Sequence, residues 1–167
     1  MKQKKVLQVV RHAKSSWDYD GIADIDRTLK ERGILNAYEI SRKLKLNSII
    51  PDLIISSPAD RALHTAVIFA RVFDIQFMDF QINNILYESS LEKVLELIRG
   101  LPGDCHSVML FGHNPDVTDL VNHFVKKPVE NIPTSGVAIL TFVSPGWDMV
   151  SKENLDGEVF YFPGKEE

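Results

Sequence analysis

The chain has 167 residues, 44% hydrophobic and 25% charged, an ordinary globular mix that can bury a full core without staples. At about 150 residues per domain this is one domain, 1–167, and disordered, collagen-like and disulfide-rich classes are excluded. Net charge is −4, which argues against a dedicated nucleic-acid binder, but the balance is uneven: residues 1–83 carry 13 basic and 10 acidic groups, residues 84–167 carry 6 and 13.

Lys2, Lys4 and Lys5 precede Val6-Leu7-Gln8-Val9-Val10, a β-branched run that predicts a strand over 5–10. Arg11 and His12 cut this apolar stretch too early for a signal peptide. Thr28 as cap, Glu31 three residues on, and apolar Ile34, Leu35, Tyr38 and Leu44 predict a helix. Asp52 to Ser56 reads as a second strand. Ser57-Pro58 reads as a cap and first helical residue, with the helix running to about Phe73. Weaker extended structure is expected around 75–78, a helix over Glu92 to Arg99 stopped by Gly100 and Pro102, and a buried strand over Ser107 to Phe111. Asn114-Pro115-Asp116 opens a helix to about Val125, and Val137 to Val143 and Glu158 to Phe162 are late strands. Alternating strands and helices predict an α/β fold, a central mostly parallel sheet with helices on both faces.

The longest apolar run, Ala66 to Ala70, is far short of a membrane span, and the single cysteine, Cys105, permits no intrachain disulfide. Both suit a cytoplasmic protein.

Three charged turns each follow a predicted strand: Arg11-His12-Ala13-Lys14, Ser57-Pro58-Ala59-Asp60-Arg61 and Gly112-His113-Asn114-Pro115. Ligands of open α/β sheets bind outside the carboxyl ends of the strands, so turns some fifty residues apart can share one pocket. Arg61 falls in the first turn of its helix, where the dipole disfavours a cation by roughly 0.3–1 kcal/mol; a bound anion reverses that penalty. Two arginines and two imidazoles suit a phosphoryl group, with one imidazole attacking phosphorus while the other groups hold the oxygens. Arginine supplies the positive charge, so neither metal nor cofactor is expected.

The order of words extends further. Arg11-His12-Ala13-Lys14-Ser15-Ser16-Trp17 is followed by Asp26-Arg27-Thr28-Leu29 with Arg32-Gly33, then Ser56-Ser57-Pro58-Ala59 with Arg61-Ala62 and Thr65-Ala66. Leu86-Tyr87-Glu88, Gly112-His113-Asn114-Pro115, and Pro133-Thr134 with Gly136 complete the set. So ordered, these words resemble the histidine phosphatase superfamily with its phosphoglycerate mutase-like fold, and within it the SixA-type phosphohistidine phosphatases. Ala13 stands where the superfamily commonly has glycine, as is common in the SixA-like branch. The resemblance implies a three-layer α/β/α fold with His12 as the nucleophile that becomes phosphorylated, and Arg11, Arg61 and His113 as the rest of the catalytic pocket. Glu88 matches the acid-bearing segment and is nominated as proton donor, or as a residue orienting His12 or substrate. Lys14 and Ser15, adjacent to the nucleophile, and Asn114 and Thr134, within the matching words, are candidates for phosphate or substrate contact.

The reaction implied is phosphoryl transfer to neutral His12, then hydrolysis. The short chain leaves no room for a large capping insertion, which favours an open site and a phosphohistidine-bearing protein as substrate. A small-molecule phosphomonoesterase is the alternative, and a non-catalytic phosphate- or phosphoprotein-binding module the alternative of another class; a mutase is disfavoured by chain length. No nucleic-acid or membrane partner is expected; the sequence leaves the oligomeric state open and is compatible with a monomer. Rival motifs fail on inspection. Asp18-Tyr19-Asp20 with Asp24 and Asp26 lacks the EF-hand glutamate, Leu29 standing in its place. No strand leads into it as an aspartyl-phosphatase word would require. The position six after Cys105 is Phe111 rather than arginine, and neither a Walker A nor a Gly-x-Gly-x-x-Gly word occurs. His64, His106 and His123 read as ordinary, the Asp116, Asp119 and His123 stripe as solvent-facing, and Lys126-Lys127 as too short for a nucleic-acid patch.

Overall fold

The computed structural model describes residues 1–164. Strands β1 (Gln3–Arg11), β2 (Leu53–Ser56), β3 (Phe80–Ile82), β4 (Ser107–Gly112), β5 (Val137–Ser144) and β6 (Leu155–Tyr161) form one sheet in the order β3-β2-β4-β1-β5-β6. The first four run parallel; β5 is added antiparallel to β1 at one side, and β6 antiparallel to β5. Helices α1 (Glu31–Leu46), α2 (Asp60–Phe73), α3 (Leu91–Arg99) and α4 (Asp116–Phe124) complete the three-layer α/β/α architecture that the alternation of elements implied.

Side-chain alternation along each strand feeds two cores. Leu7, Val9, Val108, Leu110, Ala138 and Leu140 face α3 and α4, joining Leu95, Ile98, Leu120 and Phe124. Val10, Met109, Phe111, Val137 and Ile139 face α1 and α2, joining Ile40, Leu44, Ile68 and Phe69. Burial on both faces explains why β1 and β4 read as continuous apolar runs.

Three local expectations are corrected. Thr28 does not cap α1, whose N-cap is Lys30 without a side-chain bond. Residues 28–30 instead lie against 14–16: the Ser16 N–H donates to the Thr28 carbonyl, Ser15 bridges Leu29, and the Lys30 N–H donates to the Lys14 carbonyl. Ser57 does not begin α2, which starts at Asp60. Its hydroxyl accepts from the Ala59 N–H inside a tight turn. The extended piece expected at 75–78 lies at 80–82, where Phe80 to Ile82 register with Ile54 to Ser56, preceded by a 3-10 turn at Phe77–Asp79.

Candidate active site

β2, β4 and β1 are consecutive in the sheet and parallel, so the turns that leave their carboxyl ends are neighbours. Backbone bonds extend the ladder past the strand ends: His12 N–H to Gly112 carbonyl at 3.0 Å, Ser57 N–H to Phe111 carbonyl at 3.0 Å. β5 runs the other way and delivers its leading segment to the same edge, where the Ser135 N–H reaches the Arg11 and His12 carbonyls. Ser135 takes φ 60°, and a Cβ on Gly136 would stand 2.7 Å from the Pro133 carbonyl oxygen, so this turn needs glycine there.

These turns enclose a cleft of about 380 Å³ lined by Arg11, His12, Lys14, Ser15, Arg61, His113, Asn114 and Thr134, with Trp17, Arg27 and Lys30. Eight of the nine residues picked from the sequence therefore meet. The ninth, Glu88, does not line the cleft. Leu86 is buried in the core and Tyr87 turns to Asp24, which leaves Glu88 exposed without a side-chain hydrogen bond among the described residues.

His12 is nearly buried, and its Nδ1 lies 2.7 Å from the Ala13 carbonyl oxygen. A carbonyl only accepts, so Nδ1 carries the proton and Nε2 presents a lone pair. Burial above all pushes the ring down from 6.5 to about 4, against the pull of the Ala13 carbonyl, with Arg61, Arg11 and Arg27 adding repulsion. His12 is thus neutral at physiological pH, with the Nε2 lone pair available. His113 packs against it with ring centroids 5.1 Å apart. Burial, then His12 and Arg61, push His113 down to about 3. Its Nε2 is 2.8 Å from Ser57 Oγ, and that hydroxyl already accepts from Ala59. With the Ser57 hydrogen directed to Nε2, the neutral ring carries its own proton on Nδ1. That atom is buried without a partner among the described residues, and in this tautomer it is a donor available to an oxyanion.

Arg61 is 6% exposed in the first turn of α2 and donates through Nη1 to the Asp24 carbonyl oxygen at 2.7 Å and through Nη2 to the Asp24 carboxylate at 2.9 Å. The same carboxylate takes Tyr87 Oη at 2.8 Å and Arg27 Nη1 at 3.2 Å. Burial raises its affinity for a proton, but the bonds from Tyr87, Arg61 and Arg27 outweigh this and hold it at about 2. Arg11 donates to the Ile132 carbonyl at 2.9 Å. The Nε atoms of both Arg11 and Arg61 are buried without protein partners among the described residues. Asn114 is committed elsewhere: its amide donates to Asn131 and Ile132, and its carbonyl accepts from Thr118, knitting α4 to the segment that anchors Arg11.

Arg27 belongs to one of the matching words, but no local signal in the sequence gives it a role. Its Nε donates to the Ser16 carbonyl, its Nη2 to Ser15 Oγ at 2.6 Å, and its guanidinium lies over the Trp17 ring, 3.2 Å from the centroid. It is the third arginine of the cleft. Thr65, from the same set of words, accepts the Ala13 N–H on its hydroxyl and donates to the Arg61 carbonyl, tying the His12 loop to α2. Cys105 is buried, its thiol pushed up to about 11 chiefly by burial, and takes no part in the site. Among the described residues no His, Cys, Asp and Glu cluster could hold a metal ion, and no helix is long and apolar enough to cross a membrane.

A neutral imidazole with a free Nε2, backed by three arginines at the carboxyl edge of a parallel sheet, is the equipment of a phosphatase with a histidine nucleophile. The chain belongs to the histidine phosphatase superfamily (branch 1), which residues 7–97 match, and within it to the SixA type. An Agrobacterium tumefaciens protein provisionally named phosphohistidine phosphatase SixA is 32% identical, the match covering 81% of this chain and 90% of that one with a TM-score of 0.75. The protein histidine phosphatase SixA complexed with tungstate shares the fold at a TM-score of 0.74, with 18% identity over 94% of each chain. An uncharacterised protein of Mycobacterium leprae is 25% identical over 166 residues, 92% of this chain and 99% of its own.

Proposed function

We propose that this protein hydrolyses protein-borne phosphohistidine through a phosphoenzyme at His12, without a metal ion. The observation that carries the reading is the hydrogen bond from His12 Nδ1 to the Ala13 carbonyl, which leaves the Nε2 lone pair free to attack. Likeness to the Agrobacterium protein and an open cleft support the substrate class. About 380 Å³ is room for roughly a dozen waters, several times what one phosphoryl group fills.

Nε2 attacks phosphorus in line, the bond from phosphorus to the substrate's ring nitrogen breaks, and the phosphoryl group passes to His12. Arg11, Arg27, Arg61 and the His113 Nδ1–H hold its three oxygens as charge redistributes. The Ala13 carbonyl stabilises the Nδ1–H of the phosphorylated ring. A phosphohistidine protonated on its distal nitrogen leaves as neutral imidazole, so P–N cleavage proceeds without an acid in the cleft, in keeping with the exposed Glu88. Water then attacks phosphorus, the P–Nε2 bond breaks, and inorganic phosphate departs with His12 neutral again.

Trapping tests this. Protein treated with chelator is mixed with a ³²P-phosphohistidine protein or with a labelled aryl phosphate and quenched on the millisecond scale. Acid-labile, base-stable label is expected on the wild type and absent from His12→Ala, with the histidine donor preferred. Preference for the aryl phosphate would favour a small-molecule phosphomonoesterase. Absence of both label and phosphate release would leave a phosphate-binding module.

A further inference from the structure

Beside the phosphate cleft lies a second hollow of about 210 Å³, lined by Ser16, Trp17, Tyr19, Ile22, Asp24 and Arg27. It shares Trp17 and Arg27 with the first, so the two form one continuous surface. Its apolar members stand open to solvent: Trp17 is 75% exposed, Tyr19 64% and Ile22 42%. An isolated exposed apolar residue needs no explanation, but three around one concavity beside a reaction centre mark a contact surface.

The surface is held in place. Arg27 stacks on one face of the indole while Ser16, Ser15 and Asp24 hold the guanidinium, so the Trp17 ring is supported on one face and open on the other. A supported aromatic platform with an open face is the kind of anchor that protein interfaces use. Among the cleft-lining residues, Lys14 is exposed and has no side-chain partner among the described residues. Lys30 is half-exposed and only 3.9 Å from Asp18.

Building on the phosphohistidine reading, we propose that the Trp17, Tyr19 and Ile22 hollow receives an apolar side chain next to the phosphorylated residue of a polypeptide substrate, with Lys14 facing an acidic neighbour. The site thereby selects its substrate by the residues that flank the phosphoryl group. A small phosphorylated metabolite confined to the cleft makes no use of this hollow. Polypeptide is the occupant chosen because the hollow adjoins the reaction centre, is of side-chain size and is rimmed by three exposed apolar side chains.

Two synthetic 15-residue peptides, each with a central chemically phosphorylated histidine, would test this. One carries leucines two positions either side and the other glycines, and para-nitrophenyl phosphate serves as control. The wild type should turn over the leucine peptide with at least tenfold higher kcat/KM, expressed mainly in KM. Tyr19→Ser combined with Ile22→Ser should erase that preference and leave aryl phosphate turnover within threefold, since neither residue lines the phosphate cleft. Equal turnover of both peptides by the wild type overturns the docking proposal and leaves the phosphohistidine reading standing. Failure to hydrolyse either peptide while aryl phosphate is hydrolysed overturns that reading, and this proposal with it. An equal loss on all three substrates in the double variant also overturns the proposal, by making the loop part of the catalytic scaffold.

Discussion

Arg27 shows how much of the site depends on geometry at single side chains. Its planar fork meets the Ser16 carbonyl, Ser15 and Asp24 at once and still covers Trp17. Lysine can keep the charge but not the fork or the stacking. Arg27→Lys should therefore lower kcat/KM by roughly 10- to 100-fold, approaching the cost of losing one oxyanion donor. Far-UV circular dichroism should be unchanged, because the side chain lies outside both cores. A variant with wild-type kinetics would show that only its charge matters. Asp24 is the counterpart: one carboxylate gathers Arg61, Arg27 and Tyr87, and so sets where two of the three arginines present their remaining N–H groups.

At the scale of elements, α1 and the loop that carries His12 meet through Gly33. A Cβ there would collide with the Lys14 carbonyl oxygen and stand 2.9 Å from the Lys14 nitrogen, backbone atoms that cannot turn away. Glycine to alanine inside a helix normally stabilises by roughly 0.5–1 kcal/mol. Here Gly33→Ala should instead destabilise by about 1–3 kcal/mol, as overpacking does, and cut turnover far more than it changes helical content. Urea unfolding beside steady-state kinetics checks both. This contact also shows what the sequence could and could not disclose. Strands β1 and β4 announce themselves by apolar runs, and the turns behind Arg11, Ser57 and Gly112 need only the sheet order to converge. Thr28 and Glu31 carry a capping pattern that loses to non-local bonds, because residues 28–30 pair with 14–16. Glu88 sits in a matching word, yet burial of Leu86 on one side and the Tyr87–Asp24 bond on the other turn it outward. Arg27 needed the fold of the 16–28 segment, which no local periodicity encodes.

Over the whole molecule, placing two neutral imidazoles in a buried site makes stability depend on pH. His12 and His113 are 9% and 8% exposed, with values pushed down from 6.5 to about 4 and about 3. Above pH 6.5 neither the folded nor the unfolded state holds the proton, and the folded form is at full strength. As pH falls below 6.5 the unfolded chain takes up protons that the folded site refuses, so stability is lost progressively down to about 4 for His12 and about 3 for His113. At 1.36 kcal/mol per pH unit per proton, each ring removes about 2 kcal/mol between pH 7 and pH 5. Asp24, held at about 2 on a half-exposed side chain, adds its own loss only below the ordinary carboxylate range and leaves this window to the histidines. Urea unfolding at pH 7 and pH 5 should show a fall of about 4 kcal/mol in the wild type and about 2 kcal/mol in His12→Asn, which keeps a polar ring-sized group but cannot titrate there. A tetrahedral oxyanion such as phosphate should shrink the wild-type difference, since its charge favours protonated His113 and offsets the repulsion from the arginines. Parallel wild-type and variant losses would place the His12 proton in an ordinary solvent-exposed environment, and would remove the basis for treating Nε2 as a free nucleophile over the whole physiological range.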